Sequence, residues 1–295
     1  MADKENRVDP ERLAVIRNIA HALEEGDVFR KVELNDPRPT EEDIKRVILP
    51  FDNLRRGLKG KILSTLATGI AVNRARGMSE SVRILGSENL RELRGGAIMT
   101  SNHYSPIDSL PPRLAVMQGG GGRGFYVVVQ ESNVFMRGFF GFLMRNCNTL
   151  PVSKNLSYMA RNLKPAITEL MRRGEIILIY PEAEMWFNYK RPREYMDGAY
   201  YYAVETNSPI LPCFTTFEEG EGFDAQGMHN LLYTFHIMPP IYPDLTLPKR
   251  ERREKMRECD RAAKISAYES VYGAIPEGAL VPHRDIAGLP LNVNI

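Results

Sequence analysis

Apolar residues in the first quarter of the chain recur with a helical period. Leu13, Ile16, Ile19 and Leu23 fall on one face of residues 10–25 and predict a helix. The stretch LNDPRPTEED breaks that pattern, and Thr40 with Asp43 has the spacing of an N-terminal capping box. From Ile44 to Gly77 a second stripe, Phe51, Leu54, Leu58, Ile62, Leu66 and Ile70, again has helical spacing, interrupted by Pro50. From about residue 80 the rhythm changes. Short β-rich runs (GGAIMTSN, RGFYVVVQ, NTLPVS, EIILIYP, PILPCFTTF, LLYTFHIMPPI) alternate with helical ones (PIDSLPPRLAVM, NVFMRGFFGFLMR, SYMARNLKPAITELMRRG, EYMDGAYYYAVETN). A last helix is expected over residues 249–272. Strands separated by helices of this length imply βαβ units. The expected fold is α/β, a largely parallel sheet flanked by helices, with a helical N-terminal extension over residues 1–78 and an α/β domain over 79–295.

Composition narrows the chemistry. The chain has 295 residues, enough for a substantial core. Apolar residues make 43% and charged residues 26%, which is ordinary for a folded domain. A net charge of +2 provides no global field for a nucleic-acid partner, so none is expected. Cys147, Cys213 and Cys259 are scattered, with no CxxC or Cys/His cluster, so no metal and no cofactor is expected. The GGGGRG run lacks the GK[ST] ending of a phosphate-binding loop.

The start of the chain is charged and has no apolar leader, and the run from Ile62 to Asn73 is too short to cross a bilayer. The second stripe is flanked by Lys45, Arg46, Arg55, Arg56, Lys59, Lys61, Arg74 and Arg76. Such a helix either packs its stripe on the main domain and solvates its charges, or lies on an anionic membrane surface. The expected location is cytoplasmic, peripheral on the inner face of the membrane.

The segment TSNHYSPIDSL concentrates polar chemistry at the end of a predicted strand. Ser105 and Pro106 read as N-cap and first residue of a helix, which puts Asp108 one turn inside it and His103 in the connecting turn. An aspartate on one imidazole nitrogen fixes the tautomer and leaves the other as a base. The bland alternative makes Asp108 a capping carboxylate and His103 structural. No G-x-S-x-G elbow is present.

SNHYSPID resembles the N-H-x4-D block of the glycerolipid acyltransferases, the lysophosphatidate acyltransferase superfamily. NTLPVSK, ending at Lys154, resembles the second block, LIYPEAEMW the third (usually F-P-E-G-T-R-S), and SPILPCF the fourth, all in the family's order over roughly residues 80–240. The resemblance implies acyl transfer from a thioester donor, acyl-CoA or acyl carrier protein, to a hydroxyl of a lysophospholipid such as 1-acyl-glycerol-3-phosphate. It makes His103 the general base and Asp108 its support, and it places Asn102, Lys154 and Glu182 in the substrate site.

Two blocks depart from the family pattern: Ala183, Glu184 and Met185 replace Gly-Thr-Arg in the third, and Lys154 replaces arginine in the second. Lys190 and Arg191, in a cluster with Tyr189 and Arg193, are therefore candidate cations for the acceptor. A non-phosphate lipid or polyol acceptor, a catalytically silent lipid-binding protein and thioester hydrolysis are the alternatives. Trp186 either lines a pocket or packs.

Overall fold

The computed structural model describes residues 8–48, 51, 57–293 and 295. Leu54, Arg55 and Arg56 of the second stripe lie outside the described residues.

The elements that position the site are α1 (Pro10–Glu24), α2 (Glu41–Val47), α3 (Leu58–Gly77), β1 (Val82–Leu85), β2 (Ala97–Thr100), α4 (Leu110–Gly119), β3 (Phe125–Gln130), α5 (Gly138–Asn146), β4 (Thr149–Val152), α6 (Lys164–Arg172), β5 (Ile176–Ile179), α7 (Gly198–Thr206), β6 (Ile210–Phe223), β7 (His229–Ile237) and α8 (Lys249–Tyr272). The described strands form one sheet in the order β1-β7-β6-β2-β5-β3-β4. Every pairing is parallel except the β6–β7 hairpin.

β2 and β5 are buried along their whole length, as expected of central parallel strands covered on both faces, which explains their unbroken apolar runs. Their side chains alternate. Ile98, Ile177 and Ile179 enter the core layer that holds Leu163, Ile167 and Tyr200. Ala97, Met99, Ile176 and Leu178 enter the opposite layer with Leu90, Leu114 and Phe235.

Three sequence expectations change here. The helix expected from Pro106 begins only at Leu110, and residues 106–109 form a turn outside it. The Asp108 carboxylate gathers the Tyr104 and Ser105 N–H groups and so bends the chain, while Pro111 and Pro112, which have no N–H to donate, suit the first helical turn. Asp108 is thus not an N3 capping residue. The helix expected over 133–145 is broken before Gly138, which has φ +64°. The helix over 157–174 includes a π turn, Met159–Leu163, just before Pro165.

The N-terminal region does not behave as one unit. α1 buries Val15, Ile16 and Ile19 against Trp186, Phe187, Tyr189, Ile286 and Leu289, so this helix is part of the wall over the 181–193 loop. α3 packs differently. Its buried positions are Gly60, Ala67, Ala71 and Ala75, where small residues allow close approach to α4 and α5. The stripe residues Leu58, Ile62 and Leu66 stay 77%, 59% and 55% exposed. The reading in which that stripe packs on the domain is therefore corrected for these three residues. No described helix is long and apolar enough to cross a membrane.

Candidate active site

β2 and β5 are adjacent and parallel, so their carboxyl ends open at the same edge, where ligands bind in open α/β sheets. His103 follows β2 by three residues, and Tyr180 follows β5 directly. The two rings stack, with centroids 4.1 Å apart and planes within 10°. His103 Nδ1 lies 2.6 Å from Asp108 Oδ2. Tyr180 donates its hydroxyl to Asp108 Oδ1 at 2.5 Å. The same carboxylate accepts the Tyr104 N–H at 3.0 Å and the Ser105 N–H at 3.3 Å. Asp108 is 3% exposed, whereas the His103 side chain is 21% exposed. Four donors thus saturate a buried acceptor, and the imidazole keeps one nitrogen free of this network. Burial, then the Asp108 charge, push the Tyr180 pKa well above its ordinary value, so the phenol remains a donor.

Glu182 supports this arrangement from below. Its buried Oε2 accepts the His103 backbone N–H at 3.1 Å and the Arg193 guanidinium at 3.0 Å. Asn102 exchanges two hydrogen bonds with the Thr215 backbone, donating to its carbonyl at 3.0 Å and accepting from its N–H at 2.8 Å. These two residues fix the turn and do not line the cavity beside His103.

That cavity holds about 540 Å³. On one side it is apolar, with Val127, Val129, Met136, Phe140, Met144 and Val152. On the other side Glu11, Glu33, Asp36 and Glu184 face it, and among the described lining residues Arg12 is the one arginine or lysine. Arg12 is itself bonded to Glu33 at 3.1 Å. Residues 9–36, outside the resemblance, therefore complete the site.

The cations expected at the site lie elsewhere. Arg191 forks onto buried Asp285 and also donates to the Gly278 and Ala279 carbonyls. Arg193 joins Glu182 and the carbonyls of Val28 and Glu184, with its guanidinium 4.4 Å from the Trp186 ring centre. Lys190 sits in a separate hollow with Tyr268 and Arg284, its ammonium 5.6 Å from the Tyr272 ring. Lys154 is exposed beyond β4, two residues past Val152, and does not line the cavity. Trp186 is fully buried and donates to the Arg30 carbonyl at 3.0 Å, so it packs. Ala183 keeps a left-handed φ of +64°, a conformation that suits the glycine of the resembled block.

Among the described residues, no group of three potential metal ligands converges. A histidine–aspartate pair at the carboxyl ends of parallel strands, beside a cavity that is apolar on one side, can serve as a general base toward a hydroxyl group. Residues 81–216 match the family model described as Acyltransferase. Over this segment the chain is similar to an acyltransferase domain, and the match supports an O-acyltransferase activity. No curated protein matches the chain. Among solved structures it is similar to the 1-acyl-sn-glycerophosphate (LPA) acyltransferase PlsC from Thermotoga maritima, at 15% identity and a TM-score of 0.47, over 89% of this chain and 99% of that one.

Two contributors escaped the sequence. Tyr180 was signalled only by tyrosine standing where the resembled third block begins with phenylalanine. The acidic wall from α1 and residues 33–36 had no sequence signal, because tertiary packing alone brings it to His103.

Proposed function

We propose that the protein transfers a fatty acyl group from a thioester, acyl-CoA or acyl carrier protein, to a lipid hydroxyl, with His103 as general base. The observation that carries this is the 2.6 Å contact between His103 Nδ1 and Asp108, which leaves Nε2 for substrate. Nε2 takes the hydroxyl proton as the oxygen attacks the thioester carbonyl. The C–S bond then breaks, and the proton passes to the departing thiolate. A positioned base contributes roughly 10²–10⁴-fold to such a step. Asp108 orients the ring and stabilises the imidazolium, and Tyr180 holds Asp108 in place. The apolar lining suits the acyl chain.

The acceptor side favours a lipid or polyol with a neutral or cationic head over a phosphate. Among the described lining residues, Glu11, Glu33, Asp36 and Glu184 on one side of the cavity outnumber Arg12, which is already paired. A phosphate would meet like charges there. Turnover of a panel of lysolipids and polyols by purified protein, with both donor types, tests this. Faster transfer to lysophosphatidate than to any neutral or cationic acceptor overturns the acceptor reading. Product formation unchanged in His103→Ala overturns the mechanism.

Peripheral membrane contact on the cytoplasmic face belongs to the same proposal. Leu58, Ile62 and Leu66 present one exposed apolar row, with Lys59, Lys61, Arg74 and Arg76 around it. Flotation with vesicles containing anionic lipid is expected at low salt and is expected to weaken as salt rises. Loss of flotation in a double variant, Ile62→Glu with Leu66→Glu, is the expected control. No flotation of the wild type at low salt contradicts the membrane proposal.

A further inference from the structure

A second, smaller cavity of about 100 Å³ adjoins the first beneath α3. The two share Pro106, Ser109, Val127, Val129, Phe140 and Met144 as a common wall, so the small cavity adjoins the one that His103 lines. Ala71, Phe139, Leu143 and Cys147 continue the apolar lining. Two buried polar residues break that character: Thr149, whose hydroxyl donates to the Met144 carbonyl at 2.6 Å, and a charged one. Arg113, on α4, lines the small cavity and is 4% exposed.

The guanidinium of Arg113 is poorly matched. One terminal nitrogen donates to Cys147 Sγ at 3.4 Å, a weak acceptor. The group lies 4.9 Å from the centre of the Phe125 ring. Its Nε has no hydrogen-bond partner, and among the described residues no carboxylate pairs with it. Arg193, equally buried, has a carboxylate and two carbonyls. A buried charged donor without an acceptor is costly, and a plain hydrocarbon tail beside it would keep water out without supplying one.

We propose that this cavity is a specificity site for an oxygen atom on the acyl chain, a hydroxyl, oxo or carboxylate group at the depth of Arg113. The proposal rests on the acyl-transfer reading, because it runs the acyl chain from the cavity at His103 into the adjoining one. An oxygen there accepts from Nε and completes the guanidinium, while the chain on either side remains in apolar surroundings. The enzyme would then select oxygenated acyl donors over plain ones of equal length.

The test uses the full chain and equilibrium binding without acceptor. The probes are hexadecanoyl-CoA, a series of its monohydroxylated isomers, and the thioester that carries a carboxylate at the far end of the chain. The expected result is that one or two neighbouring isomers, or the carboxylated chain, bind about 10-fold more tightly than hexadecanoyl-CoA, the worth of one hydrogen bond to a charged group. In Arg113→Met that advantage should vanish and hexadecanoyl-CoA should bind more tightly. Arg113→Lys should keep part of the preference. Equal binding of all chains by the wild type, or a preference untouched in Arg113→Met, overturns the inference while leaving acyl transfer standing. The same series is run on acyl carrier protein, and failure of every thioester on both carriers to bind strikes the acyl-transfer reading itself. If Arg113→Met does not fold, the wild-type isomer series alone decides.

Discussion

The turn at 101–110 and the loop at 181–193 hold similar materials and do different things. Each has a buried carboxylate, an aromatic ring and a nitrogen base or cation. In the turn, Asp108 accepts from two backbone N–H groups, a phenol and His103, yet the imidazole ends with one nitrogen outside the network and its edge in a cavity. In the loop, Arg191 and Arg193 close onto Asp285 and Glu182 with backbone carbonyls around them. Reactivity follows from the valence left over after packing, and architecture follows from its absence. It is also why Arg191 and Arg193, which follow the third block and are prominent in the sequence, do not reach the cavity beside His103.

The largest expected effect falls on the loop. Arg193→Ala leaves Glu182 buried and unpaired, which should cost about 3–5 kcal/mol of stability, read by denaturant unfolding. A loss of activity without such destabilisation would mean that Arg193 contacts substrate. Asp108→Asn is next. One amide oxygen cannot replace a carboxylate facing four donors, and kcat should fall by about 10²-fold or more. Wild-type turnover in that variant would make Asp108 a mere turn former. Tyr180→Phe keeps the stack on His103 and removes one donor, so kcat should fall roughly 3- to 10-fold with little change in KM. A change confined to KM would move Tyr180 into substrate binding. The smallest effect is at Ala183, where glycine relieves a left-handed φ and should raise stability by about 1 kcal/mol, visible as a higher midpoint in thermal melting. A lower midpoint would mean that the Ala183 methyl group is needed for packing.

Much of this contrast was legible along the chain where it depends on local order. The parallel sheet announced itself because β2 and β5 are apolar on both faces, and the His103–Asp108 pair because its members lie five residues apart. What failed depended on distance. The partner of Arg191 is Asp285, 94 residues on, and Trp186 is met by Arg30, 156 residues back. Neither spacing nor composition reveals such pairings. The helix start was misplaced for a subtler reason: Ser105 and Pro106 carry capping chemistry, but the carboxylate they were thought to serve draws the backbone N–H groups into a turn. α3 misled in the other direction, since its large residues suggested a buried face and its alanines supply it.

The central claim, that one imidazole nitrogen is left available for substrate while the loop cations are not, is tested most directly by acyl transfer to the best lipid acceptor in His103→Ala, with folding checked by unfolding midpoint. The expected result is a folded protein whose kcat is reduced by at least about 10²-fold. A folded variant turning over at the wild-type rate would contradict it.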